Sequence, residues 1–108
     1  MLHFKDRVEV HRAQMIAGAY TSRRDWENAS LVWSGCAAVH PDRSFEYRSP
    51  ERETSQIRQV VYLPPGAQVE ATDRILIGGV FYDIDGEPLP WTHGSLGHIQ
   101  VRAWRVRR

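Results

Sequence analysis

DRILIGGVFYDIDGEPLPW, residues 73–91, sets two short alternating runs on either side of Gly78-Gly79 and ends in a knot of carboxylates. Glycine tolerates the positive φ that both central residues of a primed turn require, so the pair marks a two-residue hairpin. Strict register counted from that turn sets Ile77 opposite Val80, Leu76 opposite Phe81, Ile75 opposite Tyr82 and Arg74 opposite Asp83. Ile75, Ile77, Val80, Tyr82 and Ile84 then share a core face. The other face carries Leu76 and Phe81 near the turn, and Arg74, Asp83 and Asp85 further out. Arg74, Gly78, Gly79 and Asp83 are structural hairpin residues on this reading.

The carboxylates that follow invite a catalytic or metal reading at Asp83, Asp85 and Glu87. Asp83 and Asp85 stand two residues apart and project from one face of a strand. A calcium loop of the EF-hand type needs acids at its first, third and fifth positions and a bidentate Glu at the twelfth, and Ile84, Gly86 and Pro88 break that order. The register instead gives Asp83 to Arg74 and makes Asp85-Gly86 a turn. No metal site and no cofactor is expected.

Outward from the hairpin, period-two alternation dominates and helix-length amphipathic patterns are scarce. In FKDRVEVHR, Phe4, Val8 and Val10 share one parity and Lys5, Arg7, Glu9 and His11 the other, which reads as a first strand. AQMIAGAY has some helical character but is short and interrupted by Gly18, and it reads as a loop or hairpin lead-in. LVWSGCAAVHP sets Leu31, Trp33, Ala37 and Val39 on one parity until Pro41 ends it, a central strand. IRQVVYLPPG orients Ile57, Val61 and Leu63 one way and stops at the Pro64-Pro65-Gly66 turn. In the closing GHIQVRAWRVR, Ile99, Val101 and Ala103 keep one parity while Trp104 and Val106 occupy the other. Two readings stand: a bulge that returns Trp104 to the core, or a strand covered on both faces, with Arg102, Trp104, Arg105 and Arg107 forming an interface. Six or seven short strands with Gly and Pro turns make an all-β domain spanning 1–108, a small β-barrel or sandwich with a long inserted loop.

That loop runs from about 42 to 56, DRSFEYRSPERETSQ, and reads as mobile, with charge of both signs and only Phe45 and Tyr47 as bulky groups. Uninterrupted loops of this length are uncommon in small domains and are usually functional or disordered. The formal net charge of +1 hides an uneven layout: residues 55–101 hold two Arg against five acids, whereas 102–108 hold four Arg and no acid. A neutral body with a basic end suits docking to an acidic neighbour better than a nucleic-acid stripe. Binding of nucleic acid through Arg102, Trp104, Arg105 and Arg107 is the alternative, with Trp104 stacking on a base. Cys36 is the single cysteine, so a disulfide framework is excluded. CAAVHPD suggests a thiol with a base, yet Cys36 and His40 lie roughly 13 Å apart on a strand, and a small buried thiol is the plainer expectation. One Cys and five scattered His offer no paired zinc spacing. The charged start, MLHFKDRVEV, does not read as a signal peptide, and no run approaches the length of a membrane span.

The order of these elements resembles the head-to-tail stopper, or head-tail connector, proteins of long-tailed bacteriophages, particularly those of actinobacterial hosts. The resemblance covers nearly the whole chain and is carried by DRVEVHR, LVWSGCAAVHP, the polar loop, VVYLPPG, DRILIGGVFYDIDGEPLPW and HIQVRAWRV. Its most telling part joins Asp73-Arg74, Gly78-Gly79, YDIDGEP and Trp91. The resemblance implies a non-enzymatic virion protein of the neck, made in the host cytoplasm. It implies a ring of copies between portal and adaptor proteins above and a tail terminator or tail tube below, closing the DNA channel after packaging and offering a surface for the tail. It places the long loop at the channel, with Asp42, Arg43, Phe45, Glu46, Tyr47, Arg48, Glu51, Arg52 and Glu53 near packaged DNA or a neighbouring copy.

Overall fold

The computed structural model describes residues 4–17, 22–42, 56–91 and 97–106. Of the residues given to the channel loop, Arg43, Phe45, Glu46, Tyr47, Arg48, Glu51, Arg52 and Glu53 lie outside them, as does Arg107. Among the described residues nine strands follow in order: β1 (Asp6–Arg12), β2 (Met15–Ala17), β3 (Ser22–Arg24), β4 (Ser30–Pro41), β5 (Gln56–Leu63), β6 (Arg74–Ile77), β7 (Val80–Ile84), β8 (Leu89–Trp91) and β9 (His98–Val106). Six of them pair antiparallel in the order β5-β4-β1-β6-β7-β9, and β9 returns to β5 to close a barrel. Closure removes the free sheet edges that six strands would otherwise expose. Of the two architectures the strand pattern allowed, the barrel is the one that forms. β8 adds to β9 outside the ring, and β2 and β3 form a separate hairpin.

Alternation builds the interior. Val8 and Val10 from β1, Ala37 from β4, Val61 and Leu63 from β5, Ile75 and Tyr82 from the glycine hairpin, and Val101 and Ala103 from β9 are all buried in one cluster. Each comes from a strand whose neighbouring positions point outward, so one parity per strand fills the barrel. Gly78 and Gly79 have φ values of 57° and 79°, and the register from this turn is Ile77–Val80, Leu76–Phe81, Ile75–Tyr82 and Arg74–Asp83. Val80, expected in the core, is instead 38% exposed, because it sits at the turn where the barrel wall ends.

Two further expectations fail for reasons of register. Between Val10 and His11 the β1–β4 pairing shifts, Val10 facing Trp33 and His11 facing Leu31, so Val32 is a bulge residue. Beyond a bulge the parity reverses. Leu31, expected beside Trp33 and Ala37, is therefore 54% exposed. Cys36, expected to be buried, is exposed, because the inward positions of β4 there are Ala37 and Val39. Gly35 lets the Trp33 ring lie across the strand: a Cβ at this position would come within 2.8 Å of the indole.

Candidate functional site

β9 shows no register shift along its whole length, from Val106 opposite Gln56 to Ile99 opposite Leu63. The reading in which a bulge returns Trp104 to the core is thereby corrected. Trp104 stands opposite Arg58 on β5 and Asp83 on β7, half-buried on the outer surface of the barrel. Around it the outer face is a chain of charge and ring contacts. The Arg74 guanidinium lies 4.2 Å from the centre of the Trp26 ring, a cation–π distance. The Arg74 Nε donates to Asp83 across the hairpin at 3.0 Å. Arg58 donates to Asp85. The three carboxylates of DIDGE therefore do not converge: Asp83 and Asp85 each engage an arginine from another strand, and Glu87 is exposed. Among the described residues no group of three or more His, Cys, Asp or Glu is placed to hold a metal ion.

Beside this face β7 and β9 part, and between them opens a cleft of about 380 Å³ lined by Arg74, Val80, Phe81, Asp83, Arg105 and Val106. Arg105 has the inward parity of Val101 and Ala103, but it lies at the barrel end. Its guanidinium carbon is 5.7 Å from the centre of the Tyr82 ring. Phe81 and Val106 are 46% and 54% exposed on the cleft wall. The side chain of Phe81 is met on one side by the edge of His11, at 5.1 Å between ring centres.

A second surface feature crosses β4, β5, β9 and β8. The rings of His40, Tyr62, His98 and Trp91 form a row, with successive centres 5.9, 5.4 and 6.1 Å apart. The first two contacts are edge-to-face and the last is stacked. The spacing falls in the range preferred by aromatic pairs. Sequence reasoning missed this row because its members come from four strands and are brought together only by the barrel register. It also explains His40, at the strand end as expected but held by Tyr62 and engaged with no thiol.

The firmest polar site is Asp73, whose side chain is fully buried. It accepts from Arg12 Nε at 2.9 Å, from Arg12 Nη2 at 3.0 Å and from the Glu70 backbone N–H at 2.8 Å. Its own N–H donates to the Glu70 carbonyl at 3.0 Å. The hydrogen bonds to Asp73 and its negative charge hold the Arg12 guanidinium above its ordinary pKa, against the opposing effect of burial. This fork fastens the segment entering β6 to the end of β1. The ends of the long loop also belong to the barrel: Asp42 is buried with its N–H on the Arg58 carbonyl, and Gln56 is the first residue of β5. No helix among the described residues is long and apolar enough to cross a membrane.

Neither a family model nor a curated protein matches the chain. Among solved structures, it is similar to the solution structure of protein SF1141 from Shigella flexneri 2a, with a TM-score of 0.60 and 21% identity over 93% of this chain and 92% of that one. At that identity the likeness concerns the fold, a small all-β barrel.

Proposed function

We infer that this chain is a structural subunit of a bacteriophage neck, assembling as a ring between the portal and adaptor proteins and the tail. In that place it closes the DNA channel after packaging and presents the surface to which the tail attaches. The resemblance in element order motivates the reading. The observation that best supports it is the exposed apolar wall of Val80, Phe81 and Val106 beside Arg74 and Arg105 at the end of a closed barrel. Exposed apolar side chains gathered beside arginines are what a protein interface needs, with aromatic and Arg anchors in the middle and charge around them. A ring multiplies one modest contact by the number of subunits, so a small barrel can hold a stable assembly. The loop beginning after Asp42 is assigned to the channel, and the enzymatic reading at Asp83, Asp85 and Glu87 is set aside because two of the three act as ion-pair partners across strands.

The test is genetic. Virions assembled without this chain should yield DNA-filled heads that leak their genome and do not join tails. Tailed, genome-retaining particles made in its absence would contradict the proposal.

A second reading, single-stranded nucleic-acid binding, draws on the outward Trp104, flanked along β9 by Arg102, and on the ring row from His40 to Trp91. It requires oligonucleotide affinity that falls steeply with salt and loses that slope when Arg102 and Arg105 are replaced by alanine.

A further inference from the structure

The barrel leaves two surfaces without partners among the described residues, and their chemistry is complementary. The first is the cleft between β7 and β9. Of its charged groups, Arg74 is engaged by Asp83, while Arg105 has no carboxylate within ion-pair distance among the described residues. The Arg105 Nε is buried and has no acceptor, and its Nη1 reaches only the Val106 carbonyl at 3.4 Å. A buried donor without an acceptor is costly, and a carboxylate entering the cleft would satisfy both the donor and the charge. Two arginines against one aspartate leave the lining at +1, with Val80, Phe81 and Val106 as its apolar wall.

The second surface is Glu87–Trp91. Glu87 is exposed and joins no ion pair among the described residues. Leu89 and Trp91 are 51% and 47% exposed, and Trp91 is braced by its stack on His98. Pro88 and Pro90 fix the backbone on either side of Leu89, so the segment is presented extended at little entropic cost to a partner. β8 pairs with β9 on one side and with no described strand on the other. An acid followed by two large apolar groups at alternate positions is thus held out on a stiff edge.

The two surfaces border the same strand, β9, at separate places and cannot reach each other. Leu89 faces Gln100, and Arg105 lies five residues further along β9, about 16 Å away at ~3.3 Å per residue. Complementary patches at separate places on one chain pair heterologously, head to tail, and such contacts close into rings or run on as filaments. We propose that Glu87–Trp91 of one copy docks in the β7–β9 cleft of the next. The Glu87 carboxylate meets Arg105, and Leu89 and Trp91 cover Val80, Phe81 and Val106. The proposal rests on the reading of the chain as a ring subunit and supplies that ring with its contact.

The experiment is charge reversal with rescue, using Glu87→Arg, Arg105→Glu and the double variant. Assembly is measured by sedimentation velocity on the chain alone and on portal–adaptor complexes. Each single reversal should weaken association between copies by about tenfold or more, and the double reversal should recover most of it, as cross-interface charge pairs do. Leu89→Asp, at an exposed position, should weaken it as well and carries the test if Arg105→Glu melts early. Single variants that assemble like the wild type, a double variant no better than the singles, or no association between copies in either setting would each overturn the proposal. Wild type and variants forming equal rings on the portal–adaptor complex would remove this contact and leave the neck reading standing. A wild type that neither binds that complex nor forms rings removes both. Loss of oligonucleotide binding in Arg105→Glu, with association untouched in Glu87→Arg, assigns the cleft to nucleic acid instead and overturns the proposal.

Discussion

Asp73 is the most deeply buried charged residue described. Its carboxylate is buried and takes both arms of the Arg12 fork and a backbone N–H. Asp73→Ala leaves the Glu70 N–H without its side-chain acceptor, while the Arg12 guanidinium, 33% exposed, can turn to water, so the variant should lose about 1–3 kcal/mol in denaturant unfolding. A loss under 1 kcal/mol would show that the fork is not what fastens this segment. Arg74–Asp83 differs, because both side chains are more than a third exposed, at 34% and 46%. A double-mutant cycle on that pair should return a coupling of only about 0.2–1 kcal/mol. The second pair was legible in the sequence, since counting back from Gly78-Gly79 sets the two residues opposite each other. The first was not: Asp73 stood out only as part of a motif, and its partner Arg12 lies 61 residues away on another strand. Local spacing carries no information about such a contact.

At the scale of the elements, alternation and turn chemistry reached far. The hairpin register, the inward faces of β1, β5 and β9 and the Pro64–Gly66 turn follow from period two and from Gly and Pro positions, because those rules act between neighbours. The misses share one cause. Val32 gives no sign in the sequence that it is a bulge, yet the shift there turns Leu31 outward, and Cys36 was assigned by its small size where its parity decides. Cys36 should accordingly react fully with a thiol reagent in the native protein, at a rate close to that in denaturant. Protection by a thousandfold would contradict the β4 orientation. Gly79 holds a φ of 79°, so Gly79→Ala should destabilise the hairpin by about 1–2 kcal/mol, measured by thermal or denaturant unfolding. Unchanged stability would mean that the turn readily takes another form.

At the scale of the whole molecule, the barrel depends on β5 meeting β9, a pairing of residues 36 to 50 apart in the chain that no local pattern states. That closure creates the surfaces on which the proposal rests. It sends Trp104 outward, lines up His40, Tyr62, His98 and Trp91, and opens the cleft at Arg105 beyond the last β7–β9 pair. Arg102, Trp104 and Arg105 were recognisable from composition as an unusual end to a strand. The cleft that Arg105 lines was not, because its walls come from β6, β7 and β9 and are brought together only by register. The central claim is that this chain is a ring subunit at the portal end of a phage head. Electron microscopy of the purified chain incubated with its own portal and adaptor proteins tests that most directly. Added density in a closed ring beneath the adaptor, one barrel per subunit, is the predicted result; portal–adaptor complexes unchanged at saturating concentrations of the chain would contradict it.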